Sequence, residues 1–190
     1  MRPGSEAMVT TASKELWLFG YGSLMWRPDL AYHEARPAVL AGYQRRFWQK
    51  STDHRGTPAH PGRVVTLAAA AATTLGVAYH LASAREALVY LDHREQQGYE
   101  RRTLPVQLAD GRTVDALVYV ADPGNPYFVA DEPLAQTAAI IATARGPSGT
   151  NLDYARALVA TLAELARAPE EAGYERALLA RAEAHLAAAR

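Results

Sequence analysis

The chain contains no cysteine. That excludes a thiol nucleophile, a disulfide framework and any thiolate metal site. A fold without disulfides suits a reducing compartment, so a cytoplasmic location is expected. An excess of charge of either sign is also missing: Lys plus Arg number 20 and Asp plus Glu 20, a formal net charge of zero. A broad electrostatic surface for nucleic acid is therefore not expected. No apolar run approaches the roughly 20 residues of a membrane-spanning helix. Up to Lys14 no basic segment precedes an apolar core, so no secretory signal is read. Six histidines are present, but none forms a His-x-x-x-His or His-Glu-x-x-His pair, and zinc hydrolysis has no support.

What remains is enough for one folded unit. Hydrophobic residues make up 49% of the 190 residues, sufficient for a full core. Residues 1–14 read as a flexible tail and residues 15–190 as a single domain. Leu16-Trp17-Leu18-Phe19 reads as a buried strand that runs into Gly20-Tyr21-Gly22-Ser23-Leu24. Two glycines around a tyrosine allow a sharp turn and a close approach by another molecule. Successive N–H groups in such a turn can form a concave nest for an anion or a carbonyl oxygen. Met25 stands where a dinucleotide fingerprint or a nucleophile elbow needs a glycine, and no Gly-Lys-Ser/Thr follows. The turn thus reads as a backbone-donor site for a small polar ligand, or else as an ordinary turn at a strand end.

The elements that follow mix strands and helices. Residues 38–49 read as a long strand bent near Gly42. Residues 51–63 form a polar loop, long enough to suspect a function. Ser51, Asp53 and His54 carry the letters of a hydrolase triad, but the members of a triad come from separate elements, and these three are neighbours. Arg63–Leu67 and Leu75–Leu81 read as two antiparallel strands connected by the alanine run Ala68–Ala72. Ser83-Ala84-Arg85-Glu86 is a capping box opening a helix to about Arg94, with Leu88 and Leu91 facing the core and Ala84, Ala87 and Tyr90 nearby. Asp110-Gly111 marks a hairpin between residues 100–108 and 113–120. Asp131 is expected to cap a helix through Ala144. Gly146-Pro147-Ser148-Gly149 is a rigid turn, and Thr150 or Asn151 caps a helix that Pro169 ends. A last amphipathic helix spans about 170–188. Strands, one helix, strands and three helices make an α+β order.

Glu95 is the carboxylate that stands out. It lies at a helix end before Gln96-Gln97-Gly98-Tyr99, where a chain turning into a strand can aim it inward. Beside Arg94, a glutamate is ordinarily a surface ion pair.

Several of these motifs occur together in a fixed order: Phe19–Leu24, Gly42-Tyr43, Arg45–Gln49, Ser51–Pro58, Pro61–Leu67, Gly76–Tyr79, Tyr90–Tyr99 and Gly146–Asn151. Together they resemble the ChaC-type glutathione-specific γ-glutamylcyclotransferases, from about Trp17 to Leu165. The resemblance implies a small, mixed but mostly antiparallel β-barrel with flanking helices. It implies an intramolecular reaction in which glutathione loses Cys-Gly and closes to 5-oxoproline, with no metal, nucleotide or covalent enzyme intermediate. By the same resemblance Glu95 is the general base and acid. Phe19, Gly20, Tyr21, Gly22, Ser23 and Leu24 then hold the γ-glutamyl group, with backbone donors at the carbonyl oxygen. Arg55 and Arg63 are candidates for a substrate carboxylate. Where the family often has Arg-Glu-Lys-Gly-Gly-Tyr, this chain has Arg94-Glu95-Gln96-Gln97-Gly98-Tyr99, a difference that bears on substrate range. The remaining readings are a cyclotransferase for another γ-glutamyl amine or amino acid, and a non-catalytic γ-glutamyl-binding module.

Overall fold

The computed structural model describes residues 15–95, 97–166 and 172–188. The expected tail, Gln96, the stop at Pro169 and the start of the last helix at 170 lie outside the described residues. Five strands close a barrel in the order β1-β3-β2-β4-β5: β1 Trp17–Gly20, β2 Tyr32–Ser51, β3 Gly62–Leu81, β4 Tyr99–Leu108 and β5 Thr113–Ala121. All pairs are antiparallel except β1 with β5, where Trp17 faces Ala116 and Leu18 faces Leu117. That parallel contact closes the sheet and removes its free edges. The mixed, mostly antiparallel barrel is the one expected.

The strand patterns explain the closure. Leu18, Phe19, Leu40, Phe47, Val106 and Val118 are fully buried in the core. Helix α1 (Ala84–Arg94) connects β3 to β4. Ser83 caps it, its Oγ accepting from the Glu86 N–H at 3.4 Å. Leu91 is buried as expected and Leu88 only half-buried; of the residues beside them Ala87 is buried, Tyr90 half-buried and Ala84 exposed. Helices α2 (Leu134–Thr143), α3 (Asn151–Leu165) and α4 (Gly173–Ala188) pack outside around Ile141, Leu158, Leu162 and Leu178. The two-residue strands β6 (Arg145–Gly146) and β7 (Gly149–Thr150) form the expected tight turn before α3. Thr150 caps α3, accepting from the Asp153 N–H at 3.0 Å.

Two expectations are corrected. The alanine run is not a connection: β3 is one strand of 20 residues running through it. Helix propensity favours helix for alanine, but five residues are too few to hold one. Here Ala68 and Ala69 pair with Gln44 and Tyr43, and the ladder resumes at Thr73 opposite Ala41. Ala70, Ala71 and Ala72 therefore stand opposite Gly42 alone, and the long ribbon bends there. Gly42 has φ +84°, a conformation that side chains rarely tolerate. Asp131 does not cap α2 either, since the helix starts after Pro133. Glu132 precedes that proline and is disfavoured in the α region, which pushes the start downstream.

Candidate active site

β1 delivers the chain into Tyr21-Gly22 and a single 3₁₀ turn, Ser23–Met25. The Met25 N–H donates to Gly22 O at 2.9 Å and the Arg27 N–H to Ser23 O at 2.8 Å. The amides of Ser23 and Leu24 precede the first bond of that turn and are not used by it. Its carbonyls are tied from below. Tyr79 Oη donates to Leu24 O at 2.9 Å, and Arg45 Nε donates to Tyr21 O at 2.7 Å. Arg45 is itself buried, paired at 3.0 Å with Glu175 of α4 and bonded to Leu75 O. Glycine is required at position 22 by close approach. A methyl there would lie 2.9 Å from Val65 Cγ2 and 3.1 Å from Tyr154 Oη.

Glu95 is the residue closing α1, its N–H donating to Leu91 O at 2.9 Å. Its side chain is only 16% exposed. Burial raises its affinity for a proton, Arg94 at 3.5 Å opposes that shift, and Asp53 adds to it. Arg94 also reaches the turn, donating from Nη2 to Ser23 Oγ at 2.8 Å and from Nη1 to Arg27 O at 3.0 Å. Gln97 and Gly98 are held by side-chain amides. Gln49 Nε2 donates to Gln97 O at 2.6 Å, and Asn125 Nδ2 donates to Gly98 O at 3.0 Å. Gln97 Nε2 donates to Thr52 Oγ1 at 2.9 Å.

Turn and glutamate open on one cavity of about 260 Å³. Phe19, Tyr21, Gly22, Ser23, Leu24 and Glu95 all line it. Gly20 does not: it packs under the turn, where an added methyl would lie 2.8 Å from Leu24 Cβ. Tyr21, Tyr99, Tyr119 and Tyr154 complete the inner wall. Burial raises the proton affinity of all four phenols, that of Tyr154 to about 12, so they stay protonated at neutral pH. An ammonium brought beside Glu95 thus meets a buried carboxylate able to take its proton, beside neutral hydroxyls, with Asp29 and Asp53 also lining the cavity.

The hydrolase letters do not assemble. Ser51 Oγ accepts the Arg55 N–H at 2.9 Å, while His54 Nδ1 lies 3.1 Å from Ser148 Oγ. Of the two arginine candidates, Arg63 is held by Glu132 at 2.8 and 2.6 Å and is buried, whereas Arg55 lines the cavity. Sequence reasoning missed Gln49, Asn125 and the Arg45–Glu175 pair. Each acts across a long stretch of chain and leaves no local pattern. Among the described residues no helix is long and apolar enough to cross a membrane.

A family model described as ChaC-like protein matches residues 16–183. A human relative, glutathione-specific gamma-glutamylcyclotransferase 1, is 46% identical over 146 residues, which cover 73% of this chain and 66% of the relative. The match thus spans just under two thirds of the human protein's length. A Saccharomyces cerevisiae relative, glutathione-specific gamma-glutamylcyclotransferase, is 33% identical over 207 residues, covering 83% and 89% of the two chains. A crystal structure of a γ-glutamyl cyclotransferase specific to glutathione from yeast superposes with a TM-score of 0.84 at 32% identity, covering 90% of this chain and 96% of that one.

Proposed function

The chain belongs to the ChaC-like family, and on that premise we propose that it is a γ-glutamylcyclotransferase acting on glutathione. The observation that carries the reading is the buried Glu95 opening on the same cavity as the Tyr21–Leu24 turn. The substrate's α-ammonium cannot attack until it is deprotonated. Glu95, with its raised proton affinity, takes that proton. The freed amine attacks the γ-carbonyl, a new carbon–nitrogen bond closes the five-membered lactam, and the old amide bond breaks. Glu95 passes protons from the attacking nitrogen to the leaving nitrogen, and Cys-Gly departs as an amine. The amides of Ser23 and Leu24 supply donors where the carbonyl oxygen gains charge, each worth about 3–4 kcal/mol of barrier. The cavity holds amine and carbonyl within attacking distance, which removes the entropic cost of the encounter. Residues 15–190 act as one unit in this reading, and a cytoplasmic setting keeps the substrate thiol reduced.

Purified protein incubated with glutathione and no added metal is expected to release 5-oxoproline and Cys-Gly in equal amounts. Glu95→Gln is expected to lower kcat by about 10²–10⁴-fold. Release from other γ-glutamyl amides alone would move the substrate, not the chemistry. Silence on all of them with ligand binding intact would favour a binding module.

A further inference from the structure

Glutathione carries two carboxylates, one on the glutamyl group and one on the terminal glycine. With the glutamyl end held at the turn and Glu95, the glycine carboxylate needs a cation elsewhere along the cavity. The cationic side chains lining the cavity are Arg27, Lys50, His54, Arg55 and Arg94. Arg94 is already engaged with Ser23 Oγ, the Tyr90 hydroxyl and Arg27 O. His54 is held between Ser148, 3.1 Å away, and Asp53, 3.7 Å away.

Arg55 differs from both. Among the described residues its guanidinium makes one hydrogen bond, a long one of 3.3 Å from Nη1 to Thr150 O. Its guanidinium carbon lies 5.7 Å from the centroid of the Tyr154 ring, which orients the planar fork without using its donors. The mount is firm. The Arg55 N–H donates to Ser51 Oγ at 2.9 Å, and Thr57 and His60 exchange backbone bonds at 3.0 and 3.1 Å. The Ser148 N–H donates to His54 O at 3.0 Å, joining the loop to the turn before α3. Burial and the charge of Arg27 hold the Arg55 guanidinium below its usual range, and Tyr154 and Asp153 oppose that shift. A half-buried, incompletely neutralised guanidinium with free parallel donors suits a carboxylate.

We propose that Arg55, assisted by Arg27, clamps the carboxylate at the far end of the substrate. This restricts the enzyme to γ-glutamyl peptides that end in a free carboxylate and disfavours γ-glutamyl amines. The inference rests on the cyclotransferase reading above. It also chooses between Arg55 and Arg63, since Arg63 is committed to Glu132.

The test compares glutathione with its C-terminal carboxamide, which differs only in the distal charge. For wild-type protein, kcat/KM is expected to favour the acid by roughly tenfold or more, carried in KM. In Arg55→Gln that preference collapses toward unity, and in Arg55→Lys it falls part of the way, because an ammonium cannot bind bidentately. Arg27→Gln lowers the preference less. Calorimetric binding of both compounds to Glu95→Gln protein, with and without Arg55→Gln, reads the clamp without turnover. An acid-to-amide ratio unaltered by Arg55→Gln, in a protein that still releases 5-oxoproline, overturns the clamp and leaves the activity standing. Acid-selective binding that depends on Arg55, with no 5-oxoproline released, overturns the activity and leaves the clamp standing.

Discussion

The Tyr21–Leu24 turn and Glu95 line the same cavity but are held in place by different means. The turn is set by shape. Gly22 lies against Val65 and Tyr154, and the turn's carbonyls receive bonds from Arg45 and Tyr79. Glu95 is set by the end of α1, its N–H on Leu91 O, and Gln97 and Gly98 by side-chain amides from β2 and from the loop after β5, through Gln49 and Asn125. A donor site needs fixed backbone and little else. A base needs a carboxylate out of water, with its loop pinned by groups that do not themselves take the proton. Arg94 touches both regions, bonded to Ser23 Oγ and 3.5 Å from Glu95.

If that division is right, damage to the turn's supports should disturb binding and stability, while damage beside Glu95 should disturb the pH profile. The largest effect on stability is expected from Glu175→Ala. It leaves Arg45 buried and unpaired beneath Tyr21, at about 3–5 kcal/mol of unfolding free energy, measurable by urea titration. KM should rise in the same variant, and Glu175→Gln should retain part of both. Next comes Gly22→Ala, where a methyl forced against Val65 and the Tyr154 hydroxyl should cost about 1–3 kcal/mol and lower kcat/KM. A Gly22→Ala enzyme with unchanged kinetics would show that the turn needs no close packing.

The smallest effect is expected from Arg94→Gln. The positive charge of Arg94 lowers Glu95's proton affinity, so removing it should raise that affinity further. The proposed mechanism starts from ionised Glu95, so the acid limb of kcat/KM should move to higher pH. The same shift has a stability sign. Burial makes the folded protein hold this proton more tightly than the unfolded chain does. Glu95 therefore favours folding most below the unfolded carboxyl value, and that contribution is lost as pH rises through the folded value. A limb that stays in place in Arg94→Gln would mean that this ion pair does not act on the base.

What was legible in the sequence follows the same division. The Gly20–Leu24 turn, the Ser83 cap, the Asp110-Gly111 hairpin and the bend at Gly42 each follow from residues within a few positions of one another. The alanine run Ala68–Ala72 was misread because its partner strand lies about 25 residues away in sequence, and pairing overrides weak propensity. The Arg45–Glu175 pair spans 130 positions, and Gln49 donates to a group 48 positions away and accepts from one 76 positions away. No local pattern announces contacts of that range. Glu95 could be picked out by its place at a helix end, but its role came from the family resemblance. Its burial became visible only with the fold.

The most direct test of Glu95 as the proton carrier sets turnover against binding in one variant. Glu95→Gln keeps the size of the side chain and removes its basicity. The account predicts a kcat for 5-oxoproline release from glutathione lower by about 10²–10⁴-fold, with a dissociation constant for glutathione close to that of wild type. A Glu95→Gln protein that turns over glutathione at the wild-type rate would contradict it.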